Sequence, residues 1–168
     1  VTKNPLGDGW TIIVKRECAT CVMVVPVIAR LARELPSLTV YTQDDPTFPE
    51  GVVSVSDLDL AASWHADIDT VPTLIFRENG VETKRTYGWQ RSEWRELTGI
   101  TDLGGELPEF RPGCGSMSVD PDIVDKLRVL YNGEILHSRQ IEIATSEDEF
   151  EAMFSRGFTD GLPVVPPT

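Results

Sequence analysis

The fold is decided by the stretch Trp10-Thr11-Ile12-Ile13-Val14-Lys15-Arg16-Glu17-Cys18-Ala19-Thr20-Cys21. Its first five residues form a run rich in apolar and β-branched side chains, which predicts a buried strand. After Cys21, apolar residues recur at three- and four-residue intervals, the period of one helix face: Val24, Val25, Ile28, Leu31, Ala32 and Leu35. The pattern therefore places Cys18 at the start of a helix and brings Cys21 back beside it after about one turn.

This Cys18-x-x-Cys21 pair has the spacing of a redox-active dithiol. Unpaired amides and aligned peptide dipoles at a helix N-terminus favour a thiolate, so we expect the pKa of Cys18 to be lowered. A Cys18 thiolate can attack a substrate disulfide, and Cys21 can then release the mixed disulfide. The alternative interpretations are a structural disulfide and a chance pair.

A metal site is not expected at these cysteines. Such a site needs at least three or four ligands, and only Cys114, His65 and His137 could join the pair. None of them stands at zinc-finger spacing. The sequence also gives no reason to expect a cofactor.

The rest of the first 100 residues alternates between strand and helix signals. Strands are predicted at residues 37–42, 73–77 and 82–87, with Asn79-Gly80 as the tight turn between the last two. A helix capped by Ser56 or Asp57 is predicted as far as residue 65, and another, capped by Ser92, at residues 91–97. The order β-α-β-α-β-β-α predicts an α/β domain over residues 1–100.

Residues 101–168 are interpreted as an acidic extension or the start of a further domain. Glycines and prolines in residues 101–113 predict a linker. Helices at residues 120–131 and 146–154, with a strand at 135–144 between them, predict a small α+β unit. The Pro-rich end at residues 162–168 suggests a fragment of a longer protein.

The second candidate feature is Val71-Pro72-Thr73, at the point where a loop enters the strand of residues 73–77. A proline at the start of a strand removes one donor from the ladder. If the Val71–Pro72 peptide bond were cis, the Val71 backbone would face solvent and could pair with an extended substrate chain beside the cysteines. The alternative is a trans proline at a sheet edge.

Taken together, these residues resemble the thioredoxin family. The resemblance rests on Cys18-Ala19-Thr20-Cys21, on Pro26 five residues after the second cysteine, and on residues 68–80, and it covers about residues 8–100. It implies a thioredoxin-like fold with a central mixed sheet flanked by helices, Cys18 as nucleophile, Cys21 as resolving thiol and Pro72 in cis. It also implies that Val71 and Thr73 flank a groove for protein or small-molecule disulfides and dithiols.

Three positions depart from the usual family pattern. Glu17 replaces a tryptophan before the first cysteine, Ala19-Thr20 replaces Gly-Pro, and Ile12 stands where the family has a buried acid. Glu17 should oppose the lowering of the Cys18 pKa, and Lys15 and Arg16 should offset it. These departures motivate an alternative to an oxidoreductase: a redox-sensing or docking module of a larger protein, with little general reductase activity.

Cys114, in Gly113-Cys114-Gly115-Ser116, has two interpretations. It is either a third redox thiol that exchanges electrons with the Cys18/Cys21 pair or an unreactive cysteine in a Gly-rich turn. The sequence leaves both open.

The composition excludes some partners. Fifteen Lys and Arg against 27 Asp and Glu give a net charge of −12, which opposes binding to nucleic acid or to an anionic membrane. No apolar run approaches the roughly 20 residues of a membrane helix. We expect a bacterial cytoplasmic protein, with further domains of the same polypeptide as candidate partners.

Overall fold

The computed structural model describes residues 6–35 and 37–133 of the 168. They lie within one compact unit, residues 1–134. The strand predicted at residues 135–144, the helix at 146–154 and the Pro-rich end lie outside the described residues.

A five-stranded mixed sheet organises this unit, in the order β3-β2-β1-β5-β6. Its strands are β1 (Gly9–Val14), β2 (Thr39–Thr42), β3 (Val55–Ser56), β5 (Thr73–Glu78) and β6 (Val81–Tyr87). The central strand β1 runs parallel to β2 and antiparallel to β5. Ile12, Ile13 and Val14 are completely buried, as predicted from the β-branched run.

In the described residues the sheet is accompanied by five helices: α1 (Ala19–Met23), α2 (Val25–Glu34), α3 (Ala61–His65), α4 (Arg91–Thr98) and α5 (Pro121–Asn132). The mixed sheet flanked by helices confirms the α/β, thioredoxin-like fold class. The single helix predicted after Cys18 is interrupted at Val24, and Pro26 lies in the first turn of α2, where its missing N–H leaves no helical bond unmade.

One predicted helix start and one predicted helix cap are wrong. Helix α3 begins at Ala61, because Leu60 takes a left-handed conformation with φ of 58°, although Asp57 still accepts hydrogen bonds from the first-turn amides of Ala62 and Ser63. Helix α4 begins at Arg91, as predicted, but its N-cap is Gln90 and not Ser92, which lies inside the helix. The helix runs to Thr98 and is followed by Gly99.

Residues 101–113 are not a linker. Leu103 is completely buried, and Trp89 Nε1 donates a 2.7 Å hydrogen bond to the Pro108 carbonyl. Two short strand pairs join this region to earlier residues: β7 (Trp89–Gln90) with β8 (Phe110–Arg111), and β4 (Thr70–Val71) with β9 (Cys114–Gly115). The glycines and prolines therefore shape turns that pack against the core.

After β9 the chain forms a 3-10 turn (Met117–Val119) and then α5. The predicted helix at 120–131 is confirmed, with the Asp120 side chain accepting from Asp122 N and Pro121 in the first turn. That residues 101–168 form an extension or the start of a further domain stays a prediction, because residues 134–168 lie outside the described part of the chain. None of the helices described is both long and apolar enough to cross a membrane.

Candidate active site around three cysteines

Cys18 stands directly before α1, where the chain leaves β1. Its backbone is extended (φ −129°, ψ 111°), and its sulfur accepts a hydrogen bond of 3.2 Å from Cys21 N. As a thiol, Cys18 also donates to the Val71 carbonyl oxygen at 3.5 Å. The predicted pair and the predicted groove residue are therefore in direct contact.

The Val71-Pro72-Thr73 segment joins the short strand β4 to β5. The Val71–Pro72 peptide bond is cis. Val71 and Thr73 are completely buried, and Thr73 Oγ1 donates a 2.6 Å hydrogen bond to the Thr70 carbonyl. The segment is thus held firmly beside Cys18.

Cys114 also lies beside Val71. Strand β9 runs antiparallel to β4, with Cys114 opposite Val71 and Gly115 opposite Thr70. Cys114 and Cys18 lie close enough to shift each other's pKa, and the backbone N–H groups of Thr20 and Ala19 lower the pKa of Cys114. The structure therefore brings together all three cysteines of the chain, and none is in a disulfide.

Residues 112–116, which we name the covering segment, are tied to the rest of the site by several hydrogen bonds. Thr20 Oγ1 donates to the Pro112 carbonyl at 2.6 Å, and Lys15 Nζ donates to the Gly115 carbonyl at 2.7 Å. Ser116 N donates to the Asp69 carbonyl at 2.9 Å. These bonds attach the segment to the loop before Cys18, to α1 and to the residue that precedes β4.

The covering segment lies over buried sulfurs. Cys18 and Cys21 have 0% exposed surface, whereas Cys114 is partly exposed. In this conformation a substrate disulfide cannot reach Cys18 from solvent. Of the three cysteines, only Cys114 has surface that is exposed to solvent.

The pKa of Cys18 is lowered, whereas those of Cys21 and Cys114 are raised. Hydrogen bonding from Cys21, opposed by burial and assisted by Cys114 and by the amides of Cys21 and Thr20, lowers the pKa of Cys18 to about 5. Burial, followed by the hydrogen bond and negative charge of Cys18, raises the pKa of Cys21. Burial and Cys18 likewise raise the pKa of Cys114. Cys18 is therefore the thiol that ionises first.

The charged residues before Cys18 have other partners than its sulfur. Arg16 forms ion pairs with Asp45 at 2.5 Å and with Glu50 at 2.9 Å. The backbone amides of Arg16 and Glu17 both donate to the Asp44 carboxylate, at 2.7 and 2.8 Å. Asp44 thus orders the loop that carries Cys18.

Gln43 is a site residue that the sequence did not indicate. Its side chain is completely buried; Nε2 donates to Ser63 Oγ at 2.7 Å and to Ser116 Oγ at 2.6 Å, and Oε1 accepts from Met117 N at 3.1 Å. It thereby connects the end of the covering segment to α3. A polar residue after a strand is ordinarily read as the start of an exposed loop, so no local signal identifies this role.

No group of three or more His, Cys, Asp and Glu side chains within residues 6–35 and 37–133 is arranged to hold a metal ion. His65 instead stacks edge-on against Tyr131 of α5, with ring centroids 5.2 Å apart. His137 lies outside the described residues.

No protein-family model matches the chain, and no curated protein matches it significantly. Among solved structures, it is similar to thioredoxin O2 from Arabidopsis thaliana in its oxidized state, with 23% identity over 54% of this chain and 70% of that one and a TM-score of 0.39. It is also similar to a secreted Mycobacterium tuberculosis disulfide oxidoreductase homologous to E. coli DsbE, with 16% identity over 58% of this chain and 80% of that one and a TM-score of 0.40. What this chain does is therefore inferred from its own cysteine geometry.

Proposed function

We propose that the chain is a thiol–disulfide oxidoreductase in which Cys18 attacks a substrate disulfide and Cys21 resolves the intermediate. The observation that carries this proposal is the Cys18 sulfur itself, which contacts Cys21 N at 3.2 Å and the Val71 carbonyl at 3.5 Å. The substrates are protein or small-molecule disulfides, and dithiols in the reverse direction.

The first step uses the low pKa of Cys18. Cys18 is completely buried, so this step requires the covering segment to move aside. The Cys18 thiolate then attacks one sulfur of the substrate disulfide, a mixed disulfide forms, and the other substrate sulfur leaves as a thiolate that takes a proton from water. Because its pKa is raised, the Cys21 thiol stays protonated during this step.

The second step follows from the loss of charge at Cys18. The Cys18 anion is one of the causes that raise the pKa of Cys21, and it no longer exists in the mixed disulfide. Cys21 can then lose its proton and attack the Cys18 sulfur. A Cys18–Cys21 disulfide forms, the second substrate thiolate leaves, and two electrons have passed to the substrate.

The test is reduction of insulin disulfides driven by dithiothreitol, with the wild type, Cys18→Ser and Cys21→Ser compared at equal concentration. We expect Cys18→Ser to fall to the rate of dithiothreitol alone. Cys21→Ser should accumulate a mixed disulfide between Cys18 and an insulin chain, because no second thiol releases it. Wild-type activity in a folded Cys18→Ser variant would overturn the proposal.

A second candidate function is favoured by the burial of Cys18 and Cys21 beneath the covering segment. In a redox-sensing or docking module, the pair would change state without turning over general substrates. The same assay separates the two functions. A wild type that oxidises reversibly, yet reduces insulin no faster than Cys18→Ser, favours the module; broad reductase activity rejects it.

A further inference from the structure

We propose that Cys114 is a third catalytic thiol, which exchanges with the Cys18–Cys21 disulfide from the position that a substrate strand would occupy. The inference rests on the proposed function, since it needs Cys18 to be an exchanging thiol. It adds an internal partner that no general Cys-x-x-Cys mechanism contains.

The first argument is the backbone of the covering segment. An extended substrate was expected to pair with Val71 beside the cysteines, and β9 makes that pairing, antiparallel and with Cys114 opposite Val71. A substrate strand in the same register would present its own sulfur where Cys114 presents its thiol. The chain therefore fills its groove with a cysteine-bearing strand.

The second argument is the environment of the sulfurs. Cys18 donates to the carbonyl of Val71, the residue opposite Cys114 in the β4–β9 pair. The two thiols also shift each other's pKa, and the backbone amide of Thr20 lowers the pKa of both. Cys18 and Cys21 are completely buried, and Cys114 is partly exposed. Electrons can consequently reach the buried pair from solvent through Cys114 without displacement of the segment.

The exchange balances within the chain. Starting from the Cys18–Cys21 disulfide, the Cys114 thiol gives its proton to water and its thiolate attacks the Cys18 sulfur. The Cys18–Cys114 bond forms, the Cys18–Cys21 bond breaks, and Cys21 leaves as a thiolate that is reprotonated. One disulfide is replaced by another, so this step needs no external oxidant.

An external low-molecular-weight thiol completes the cycle. Its thiolate attacks the sulfur of Cys114, the partly exposed residue of the three, a mixed disulfide forms there, and Cys18 leaves as a thiolate. Cys18 is the better leaving group of the two because its pKa is the lower one. A second thiol then attacks the external sulfur, releases Cys114 as a thiolate and carries away the oxidised pair.

The experiment maps disulfides in the full chain. Reduced Cys21→Ser protein is oxidised with glutathione disulfide, quenched in acid, alkylated and digested with trypsin. The sequence places Cys18 in the peptide of residues 17–30 and Cys114 in that of residues 96–126, since the Arg111–Pro112 bond resists cleavage. A cross-link between these peptides is therefore a Cys18–Cys114 disulfide.

We expect that cross-linked peptide as the main oxidised product of Cys21→Ser and its complete loss when Cys114→Ser is added. A folded Cys21→Ser variant that instead carries glutathione on Cys18, with Cys114 alkylated, would overturn the inference. If Cys21→Ser does not fold, wild type quenched during reduction by glutathione decides. A cross-link to Cys114 in which Cys21 is alkylated supports the inference, and its absence at every time point rejects it.

The single variant Cys114→Ser separates this inference from the proposed function. It should still form the Cys18–Cys21 disulfide within the peptide of residues 17–30, and glutathione should reduce that disulfide more slowly than in wild type. Formation of this disulfide without any Cys18–Cys114 cross-link in the other variants would retain the function and remove Cys114 from it. Failure of Cys18 to oxidise in any variant would reject both.

Discussion

Gly113 lies so close to Val71 that a methyl group at position 113 would stand 2.7 Å from the Val71 carbonyl oxygen and 2.3 Å from a methyl of Thr70. Both distances are shorter than nonbonded contacts allow. Strand β9 can therefore lie against β4 only because residue 113 has no side chain. The coverage of Cys18 depends on this contact.

Gly113→Ala is expected to displace the covering segment and expose Cys18. The rate of alkylation of Cys18 by iodoacetamide, followed at residues 17–30 by mass spectrometry, should increase severalfold. Gly115→Ala is the matched control, because a methyl group there meets nothing within 4 Å. Equal alkylation rates in the two variants would mean that the segment does not control access to Cys18.

The ionisation of Cys18 should be visible in a titration of the reduced protein. Because its pKa is lowered from 9.0 to about 5, the ultraviolet absorbance of a thiolate should rise with a midpoint near pH 5 and be absent in Cys18→Ser. Cys21 and Cys114 have raised pKa values and should not contribute below about pH 9. A first midpoint near the ordinary cysteine value would contradict the lowered pKa.

The same shift has a consequence for stability. A thiol with a lowered pKa in the folded state adds stability that is fully present above its unfolded pKa of 9.0 and is lost as the pH falls to about 5. The free energy of unfolding of the reduced wild type, measured in urea relative to that of Cys18→Ser, should therefore increase as the pH rises from about 5 to 9. A difference that is constant over this interval would contradict the assignment.

How far the sequence predicted this site depends on how local each feature is. Strand β1, Cys18 at the start of a helix and Cys21 one turn later follow from residue patterns within one short stretch, and the structure has them. The placement of Cys114 against Val71 depends on a pairing between distant segments. The strands β4 and β9 have two residues each and are too short to show a periodicity from which that pairing could be predicted.

Two local failures have physical causes. Asp57 was predicted as a helix cap and does accept amides of α3, yet the left-handed Leu60 delays the helix until Ala61. The prolines and glycines of residues 101–113 indicated a linker because the same residues make both linkers and tight packed turns. Burial of Leu103 distinguishes these cases, and burial is a tertiary property.

Gln43→Ala should destabilise the fold and loosen the end of the covering segment. It removes the side chain that bonds Ser63, Ser116 and Met117 N, so buried polar groups lose partners; such a loss costs about 1–3 kcal/mol. Urea unfolding measures this loss. Gln90→Ala is the control, since the Gln90 side chain makes no capping hydrogen bond to α4; equal losses in the two variants would contradict the role of Gln43.

The packing of the chain beyond residue 100 can be tested at Gly104. A methyl group there would lie 2.4 and 2.5 Å from two ring carbons of Trp89, whose side chain is completely buried. Gly99 has a similar positive φ, 76° against 61° for Gly104, but a methyl group at Gly99 meets nothing within 4 Å. Both alanine variants therefore bear the left-handed backbone strain of about 1–2 kcal/mol, and only Gly104→Ala adds a clash.

We expect Gly104→Ala to lower the free energy of unfolding by about 1–3 kcal/mol more than Gly99→Ala, because an overpacked core side chain must move. Urea unfolding followed by tryptophan fluorescence measures the difference, and the native-state emission spectrum should change in Gly104→Ala alone. If the two variants have the same free energy of unfolding and the same native emission spectrum, residues 101–107 do not pack on Trp89. The position of the covering segment beside the cysteines would then lack its support. The chain reaches Cys114 through residues 101–107 and through β8, and β8 pairs with Trp89.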